Sequence, residues 1–414
     1  MTAPFAPNHT AALEALQAFV PKSGKDYASL RNYDRDGHPH VSQLSPYLRH
    51  RVLTEADVLE AVLARFAPST AEKFVQEVFW RTYFKGWMEM RPSVWTAYRA
   101  DLARARDRLA TEGGLRKGWE QACSGATGIE PFDHWAQELA QTGYMHNHAR
   151  MWFASIWTFT LGLPWELGAD FFQRHLLDGD PASNTLGWRW VVGLHTPGKV
   201  YAARSSNITK YTDGRFGGVH GLPSDPAPAP GTPNPPRGTL PLPEMWDPAQ
   251  PTGLLLTEDD LSPGWLFDGG LAPKSNAVLA GVLGRSPLDV SDTVLGFTAG
   301  VIEDARKRFA QRLGTPGPVT GVTRGESEEN QRQALLSWAA DEGLAQVVVP
   351  HAPVGPAADR LAPLRRALEA EGVRVIAPIR AYDLEAWPHA THGFFRFKEK
   401  IPRLIAGLKG LRAA

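Results

Sequence analysis

The densest group of residues that could do chemistry lies in the segment LLDGDPASNTLGWRW, residues 176–190. It places Asp178, Asp180 and Asn184 in one short, turn-prone stretch, followed directly by Trp188 and Trp190. Two carboxylates this close could bind a divalent metal, but the segment has neither the alternating oxygen ligands nor the closing glutamate of a calcium loop. The alternative is that these carboxylates accept hydrogen bonds from a ribose, an adenine amine or a flavin N–H group.

Two histidines just upstream, His146 and His148 in TGYMHNHARM, are the other candidate metal ligands. No third ligand is placed near them, so we predict no metal site. The single cysteine, Cys123, excludes a disulfide framework, a cysteine-based zinc site and a four-thiolate iron–sulfur cluster.

The composition is that of a globular chain without net charge. The 414 residues include 44 basic and 44 acidic side chains, and 43% of the residues are apolar. This balance excludes a disordered chain and gives no global basic signature for nucleic acid, although a local basic groove stays compatible with it. The 14 tryptophans indicate either a large aromatic core or a site that stacks bases or carries electrons. No membrane-spanning run or signal peptide is evident, so we expect a soluble, cytoplasmic monomer without membrane contact.

Helical periodicity dominates the first half of the chain. Apolar residues recur at spacings of three and four in the segments 11–20, 53–66, 71–88, 94–109, 132–142 and 147–160. Strand-like alternation is scarce there. Residues 1–220 are therefore predicted to form an all-helical domain that positions the candidate residues.

The rest of the chain has a different pattern. Eleven of the 29 residues from Pro223 to Pro251 are proline, which predicts an extended linker over 221–265, either a surface spacer or an exposed polyproline ligand. Over 266–414, short apolar runs alternate with amphipathic stretches, which predicts a small α/β domain with a parallel sheet. The predicted strands are 277–283, 318–323, 346–349 and 373–379. No glycine-rich phosphate motif follows them, so we predict no nucleotide site in this domain.

Five motifs between residues 27 and 216 together resemble the FAD-binding helical domain of the photolyase/cryptochrome family. They are YASLRNYDRDGHPHVSQLSPYLRHRVLT, EVFWRTYF, GATGIEPFDHW and the two segments quoted above, in the family's order. The resemblance implies a U-shaped FAD held by ten residues. Its phosphates and ribityl chain would contact Tyr27, Ser42, Leu44 and Ser45. Arg81 and Arg150 would contact the flavin or the phosphates. The flavin ring and the ribose would contact Asn147, Asp178 and Asp180, and Asn184 would lie against flavin N5. Each residue also has an ordinary structural alternative, such as a helix cap, a surface charge or a turn.

Several residue types resemble those of enzymes that repair cyclobutane pyrimidine dimers. Asn184 is the type that photolyases place at flavin N5, and Glu77 matches the carboxylate that contacts the dimer. The resemblance assigns further substrate contacts to Trp80, His148, Met151 and Trp190, where His148 replaces an arginine that contacts DNA. It assigns an electron relay to Trp188 and Trp165, whose distal member could be Trp119, Trp157, Trp152 or Tyr98.

The resemblance implies a light-driven repair flavoenzyme, a deoxyribodipyrimidine photolyase that acts on DNA containing pyrimidine dimers by electron transfer from excited reduced FAD. A basic group of five residues is predicted near the pocket as DNA contacts: Arg81, Lys85, Arg91, Arg150 and Arg189. The alternative is a cryptochrome-like blue-light photoreceptor without repair activity, because the usual N-terminal antenna domain is missing. The C-terminal α/β domain is either a rearranged antenna-like domain or a separate partner-binding domain, and no antenna chromophore is predicted.

Overall fold

The helical half of the molecule follows the periodicity of the sequence closely. The computed structural model describes residues 5–408, so the outermost residues of both predicted domains, 1–4 and 409–414, lie outside it. All six predicted helical segments are helical, and further short helices connect them. The helices of this half are α1 (His9–Phe19), α2 (Lys25–Leu30), α3 (Ser45–Arg49), α4 (Glu55–Leu63), α5 (Glu72–Glu89), α6 (Ser93–Thr111), α7 (Gly113–Ser124), α8 (Glu130–Thr142), α9 (Asn147–Ser155), α10 (Trp165–His175), α11 (Pro181–Val191) and α12 (Ser205–Tyr211).

Local chemistry explains where these helices begin. Thr54 caps α4 through a reciprocal capping box with Asp57, which satisfies backbone N–H groups that have no partner inside the helix. Asp180 caps α11, because its side chain accepts a hydrogen bond from the backbone N–H of Ser183. Helix α9 continues into a π-helical turn, Ile156–Thr160, before the chain turns into α10. No helix among the described residues is long and apolar enough to cross a membrane.

The C-terminal half is a five-stranded parallel sheet with helices on both faces. The strand order is β3-β2-β1-β4-β5, and every neighbouring pair is parallel. The elements are β1 (Thr252–Leu256), α13 (Gly264–Asp268), β2 (Ser275–Leu279), α14 (Asp292–Arg308), β3 (Thr315–Thr320), α15 (Glu328–Asp341), β4 (Gln346–Val348), α16 (Pro356–Ala370), β5 (Arg374–Ile376), α17 (Ala381–Ala386), α18 (Phe394–Lys398) and α19 (Ile401–Ala406). The predicted fold class, an all-helical unit joined to a parallel α/β unit, is confirmed.

The linker prediction of 221–265 needs a correction at its C-terminal end. Strand β1, the central strand of the sheet, lies inside that range, and α13 begins there. All five residues of β1 are buried, so the strand has no polar alternation that could separate it from the proline-rich segment before it.

Buried charges join the two halves of the molecule. The loop that follows β1 brings Asp259 and Asp260 against the end of α3, where Arg49 pairs with Asp259. Nearby, Arg51 contacts both carboxylate oxygens of Asp383 at 2.7 and 2.8 Å. Arg380 in turn donates to Asp260 at 2.7 Å. Because each charge has an opposite partner, this burial is compatible with stable packing of the α/β half on the helical half.

Candidate functional site

The candidate site is built around the start of α11. A turn at Leu177 and Asp178 precedes this helix. Asp180 lies in the N-cap position, with one carboxylate oxygen 2.8 Å from the backbone nitrogen of Ser183. Its other oxygen lies 3.3 Å from Arg81 Nη2 and 3.6 Å from Lys85 Nζ, both on α5. Asp180 therefore fixes α5 against α11.

The charges around Asp180 decide its protonation. Burial alone would raise the pKa of Asp180, but Arg81, Lys85 and Arg49 outweigh burial and hold that pKa well below its ordinary value. Burial lowers the pKa of Lys85. Both oxygens of Asp180 are engaged within the protein, so its predicted hydrogen bond to the cofactor stays a prediction.

Asp178 is the more available of the two carboxylates. One oxygen accepts from Arg150 Nη2 at 2.9 Å, and Arg150 also donates through Nε to the Met145 carbonyl at 3.0 Å. The other oxygen, Oδ1, is buried without a hydrogen-bond partner among the described residues. A buried carboxylate oxygen without a partner costs free energy, so it is suited to accept from a bound group.

Asn184 lies one turn into α11 and is 8% exposed. Its amide nitrogen donates to the backbone carbonyl of Ala169 at 2.9 Å, which fixes the orientation of the side chain. The amide oxygen is left as a hydrogen-bond acceptor. This is the atom that a ring N–H group could use.

The predicted phosphate-binding segment lies between α2 and α3. Tyr27 is buried between Phe19 and Phe74, with ring centroids at 5.7 and 5.2 Å. Ser42 Oγ accepts from the backbone nitrogen of Leu44 at 3.3 Å, so the hydroxyl hydrogen stays free to donate. Ser45 is the first residue of α3 and is half-buried, whereas Leu44 is fully buried.

Glu77 on α5 has a partner that the sequence analysis did not include among the site residues. Arg31, at the end of α2, forms an ion pair with Glu77 and lies 5.9 Å from the centre of the Tyr27 ring. Burial raises the pKa of Glu77, and Arg31 only partly offsets this. Arg31 belongs to the motif YASLRNYD. The sequence could not predict its contact with Glu77, because the two residues meet only through tertiary packing.

The predicted aromatic contacts are half-buried. Trp80 lies one turn after Glu77 and stacks on Phe394 of α18, with ring centroids 3.7 Å apart and an interplanar angle of 12°. Trp190 packs against Tyr201 at 5.6 Å, and Met151 lies at the edge of the core.

The two remaining predicted residues of α9 differ in exposure. Asn147 is exposed, whereas His148 packs 4.5 Å from Trp152 and 5.2 Å from Tyr211. Burial lowers the pKa of His148 to about 4, and that of His146 to about 4 as well. In the part of the chain that the structure describes, no three histidine, cysteine or acidic side chains come together as a metal-binding group.

Three of the five basic residues predicted to contact DNA are buried. Lys85 pairs with Asp180, Arg91 donates to the Thr391 carbonyl at 3.0 Å, and Arg189 donates to the Thr232 carbonyl at 2.9 Å. Their exposed fractions are 2%, 9% and 4%. The prediction of phosphate contacts is therefore wrong for these three residues, because neighbouring elements cover Lys85 on α5, Arg189 on α11 and Arg91 in the connection between α5 and α6.

The residues present fit FAD. The site offers a free carboxylate oxygen on Asp178 and a fixed amide oxygen on Asn184, which suit ring and ribose donors. It also offers the guanidinium groups of Arg81 and Arg150, of which Arg81 Nε is buried without a hydrogen-bond partner among residues 5–408. Guanidinium groups match phosphate and carbonyl oxygens. Arg81 pairs with Asp180 and Arg150 pairs with Asp178, and the contacts of the ten predicted residues with FAD stay predictions.

Comparisons with known proteins show which family the helical half is similar to. Residues 74–213 match the family described as the FAD binding domain of DNA photolyase. The chain is 34% identical over 167 residues to a deoxyribodipyrimidine photo-lyase of Streptomyces griseus, covering 39% of this chain and 35% of that protein. It is 30% identical over 207 residues to the deoxyribodipyrimidine photo-lyase of Alkalihalophilus pseudofirmus, covering 48% and 40%.

A solved structure, the class III photolyase from Agrobacterium tumefaciens, is 28% identical and covers 50% of this chain and 42% of its own, with a TM-score of 0.43. The chain spans less than half the length of these relatives. The motifs, the donor groups of the site and the family match lead to one conclusion: the helical half of this chain is similar to the FAD-binding domain of the photolyase/cryptochrome family, and residues 74–213 are the part that the family match covers.

Proposed function

We propose that this protein is a deoxyribodipyrimidine photolyase, which uses blue light to split cyclobutane pyrimidine dimers in DNA. The observation that carries the proposal is the position of Glu77. This carboxyl is half-buried, is held by Arg31, and shares a face of α5 with Trp80 and Arg81. The relatives named deoxyribodipyrimidine photo-lyase support the same activity.

FAD bound at this site would supply, when reduced and excited by light, one electron to a dimer lying beside it. The contribution of the protein is orientation and charge. Asn184 presents a fixed acceptor oxygen and, unlike a carboxylate, adds no negative charge beside a reduced ring. The Arg150–Asp178 pair keeps a guanidinium group next to the same region.

Glu77 is suited to hydrogen-bond a pyrimidine base. Because burial raises its pKa, its protonated form is favoured relative to an exposed glutamate, and that form donates to a carbonyl oxygen. A base that gains an electron has more negative carbonyl oxygens, so this hydrogen bond strengthens as the reaction proceeds. Arg31 holds the carboxyl in place from the other side.

Aromatic and basic side chains would hold the DNA. Stacking of a flipped base on Trp80 or Trp190 contributes roughly 1–3 kcal/mol and offsets part of the unstacking cost. Arg31 and Arg150 are 28% and 22% exposed, so part of each side chain is open to solvent, and Asn147 is exposed at the start of α9.

A photoreceptor without repair activity is the second candidate, and one contact favours it. Phe394 covers one face of Trp80 at 3.7 Å, which reduces the aromatic surface available to a base. In that case light would act on the flavin without a DNA substrate.

The test is a repair assay on purified, chemically reduced protein that contains FAD. A thymine-dimer oligonucleotide is illuminated with blue light, and intact thymines are measured for wild type, Glu77→Ala and Trp190→Ala. We expect repair in wild type and at least about 10-fold slower repair in Glu77→Ala, which removes the hydrogen bond, since a hydrogen bond to a charged partner contributes roughly 1.5–3 kcal/mol. For Trp190→Ala we expect roughly 5- to 150-fold weaker binding of dimer DNA, which corresponds to the roughly 1–3 kcal/mol of stacking.

Glu60→Ala is the matched control, because Glu60 is an exposed glutamate on α4 outside the site. It should repair like wild type. If wild type with full FAD content restores no thymines in single- or double-stranded DNA, the repair proposal fails and the photoreceptor is left.

A further inference from the structure

Helix α18, near the C-terminus of the chain, lies along the helix that carries Glu77. Lys398 Nζ at the end of α18 is 2.9 Å from a carboxylate oxygen of Glu72, in the first turn of α5. One residue before the cap of α18, the carbonyl of His392 accepts from the Tyr83 hydroxyl at 2.7 Å. Both ends of α18 are therefore fixed to α5, beside the candidate site.

The segment that contains α18 and α19 carries an excess of positive charge. Residues 392–408 include four lysine or arginine side chains and one carboxylate, Glu399. Lys398 has its partner on α5, whereas Arg396, Lys400 and Arg403 are exposed and form no ion pair within residues 5–408. We call these three residues the basic surface.

Two cations of the basic surface act on one imidazole. Burial lowers the pKa of His389, and the positive charges of Lys400 and Arg403 lower it further. Both cations therefore lie near the same side chain. Charges of one sign gathered on a surface attract a polyanion that neutralises them together.

An exposed aromatic ring lies in the same segment. Phe395 is 83% exposed, although the residue before it, Phe394, is buried against Trp80 with ring centroids 3.7 Å apart. The packing of Phe394 thus holds Phe395 at the surface next to Arg396. Cations beside an aromatic ring suit nucleic acid, because its phosphates pair with cations and its bases stack on rings.

An anionic membrane is the other polyanion to consider. Helices that lie on membranes bury a broad apolar face among the headgroups. Helices α18 and α19 have only five and six residues. Four of their large apolar side chains are buried within the protein: Phe394, Phe397, Ile401 and Leu404. In the described part of this segment Phe395 alone is a large exposed apolar side chain, so the observations favour nucleic acid.

We propose that α18 and α19 form a DNA-binding surface beside the candidate site. In it, Arg396, Lys400 and Arg403 contact backbone phosphates, and Phe395 stacks on a base that is unpaired at the dimer. The inference rests on the proposed function, since its partner is the DNA of that reaction. The surface belongs to the α/β half, outside residues 74–213 that the family match covers. It supplies accessible cations in place of the three buried basic residues of the site.

The first experiment measures the salt dependence of DNA binding by the FAD-loaded full chain. The probe is a fluorescent duplex, with or without one thymine dimer, and the salt concentration runs from about 50 to 200 mM. In the variant Arg396→Gln/Lys400→Gln/Arg403→Gln, the slope of log affinity against log salt should fall in magnitude by roughly 3, since each phosphate contact contributes about 0.9. Affinity should fall by the same factor for both duplexes, because phosphate contacts do not distinguish bases.

The aromatic ring is tested separately by Phe395→Ala. We expect at least about 5-fold weaker binding of the dimer duplex, the low end of what base stacking on an aromatic ring contributes. The salt slope should stay that of wild type, because no charge is removed. Leu242→Ala is the matched control: Leu242 is also 83% exposed but lies in the proline-rich segment, and its loss should not change binding.

The matched charge control is Arg116→Gln/Lys117→Gln/Arg366→Gln. It removes two arginines and one lysine from exposed positions on α7 and α16 and should keep the wild-type slope. An equal loss of slope in both triple variants, or a wild-type slope in the variant of the basic surface, overturns the inference. The inference also fails if the basic surface is needed for binding to vesicles of anionic phospholipid but not to DNA. All substituted residues are exposed, so folding and FAD content should be retained.

Repair by chemically reduced wild type is measured on the same dimer duplex. Repair combined with an unchanged slope in the variant of the basic surface means that the surface inference alone has failed. DNA binding that depends on the basic surface, without repair, means that the proposed function alone has failed.

Discussion

The stability of the helical half should depend on pH through His38. This imidazole is 9% exposed, with Nε2 2.9 Å from Glu138 Oε1 and Nδ1 3.4 Å from Asp34 Oδ1. Burial lowers its pKa, but the hydrogen bonds with Asp34 and Glu138 outweigh burial and raise the pKa to about 9. In the unfolded chain a histidine titrates near its ordinary value of about 6.5.

The sign and size of the effect follow from these two values. Because the folded-state pKa is the higher one, protonation of His38 stabilises the fold. That contribution is complete below about pH 6.5 and is lost as the pH rises through about 9. A difference of roughly 2.5 pKa units at 1.36 kcal/mol each gives an upper magnitude of about 3 kcal/mol.

The assay is urea unfolding of wild type and His38→Asn at intervals from pH 6 to pH 10. Asparagine is the suitable replacement because residue 38 has a φ angle of +51°, which asparagine tolerates. We expect the difference in unfolding free energy between the two proteins to shrink by about 3 kcal/mol over this range. His40→Asn is the control, since burial and Arg35 lower the pKa of His40. A difference that stays constant with pH would falsify the assigned charge state of His38.

Two further predictions concern packing and buried charge. Gly168→Ala should lower the free energy of unfolding by roughly 1–3 kcal/mol, because the added Cβ would lie 2.3 Å from Trp188 Cη2. Thermal denaturation measures this loss. Gly187→Ala is the control in the same assay: an added Cβ there has open space around it, so this variant should not be destabilised. Asp259→Ala leaves Arg49 buried without its closest partner and should cost about 3–5 kcal/mol in urea unfolding. Asp268→Ala, which removes an exposed pair with Arg312, should cost under about 1 kcal/mol. Equal losses for Asp259→Ala and Asp268→Ala would contradict the burial argument.

What the sequence could predict depends on whether the signal is local. The apolar periodicity of residues 71–88 predicts α5 to within a residue, because helix α5 buries apolar side chains at regular spacing. Asp180 could be recognised as a turn residue because it caps the helix that follows it. Strand β1 was missed, since five consecutive buried residues after a proline-rich segment carry no alternation.

Contacts between distant segments were beyond reach for a different reason. Arg31 and Glu77 are separated by 46 residues, and Arg49 and Asp259 by 210. Nothing in the spacing of such residues specifies their pairing; only the packed helices bring them together. Lys85 is an example of the opposite kind. Its position in a motif of the site predicted an accessible basic residue, but α5 packs against α11 and buries Lys85 beside Asp180.

Contacts between the helical half and the α/β half lie at the carboxyl edge of the sheet. In open parallel sheets, ligands usually bind at the carboxyl ends of the strands, at the point where the strand order reverses direction. In this sheet that point lies between β1 and β4. The helical half fills part of this edge: Asp259 after β1 pairs with Arg49, and His351 after β4 lies 3.0 Å from Glu89 at the end of α5. The α/β half therefore braces α3 and α5 through the edge that other sheets of this kind use for ligands. Since these helices carry Ser45, Glu77 and Arg81, weakening the contact at Asp259 should loosen the candidate site as well as the fold.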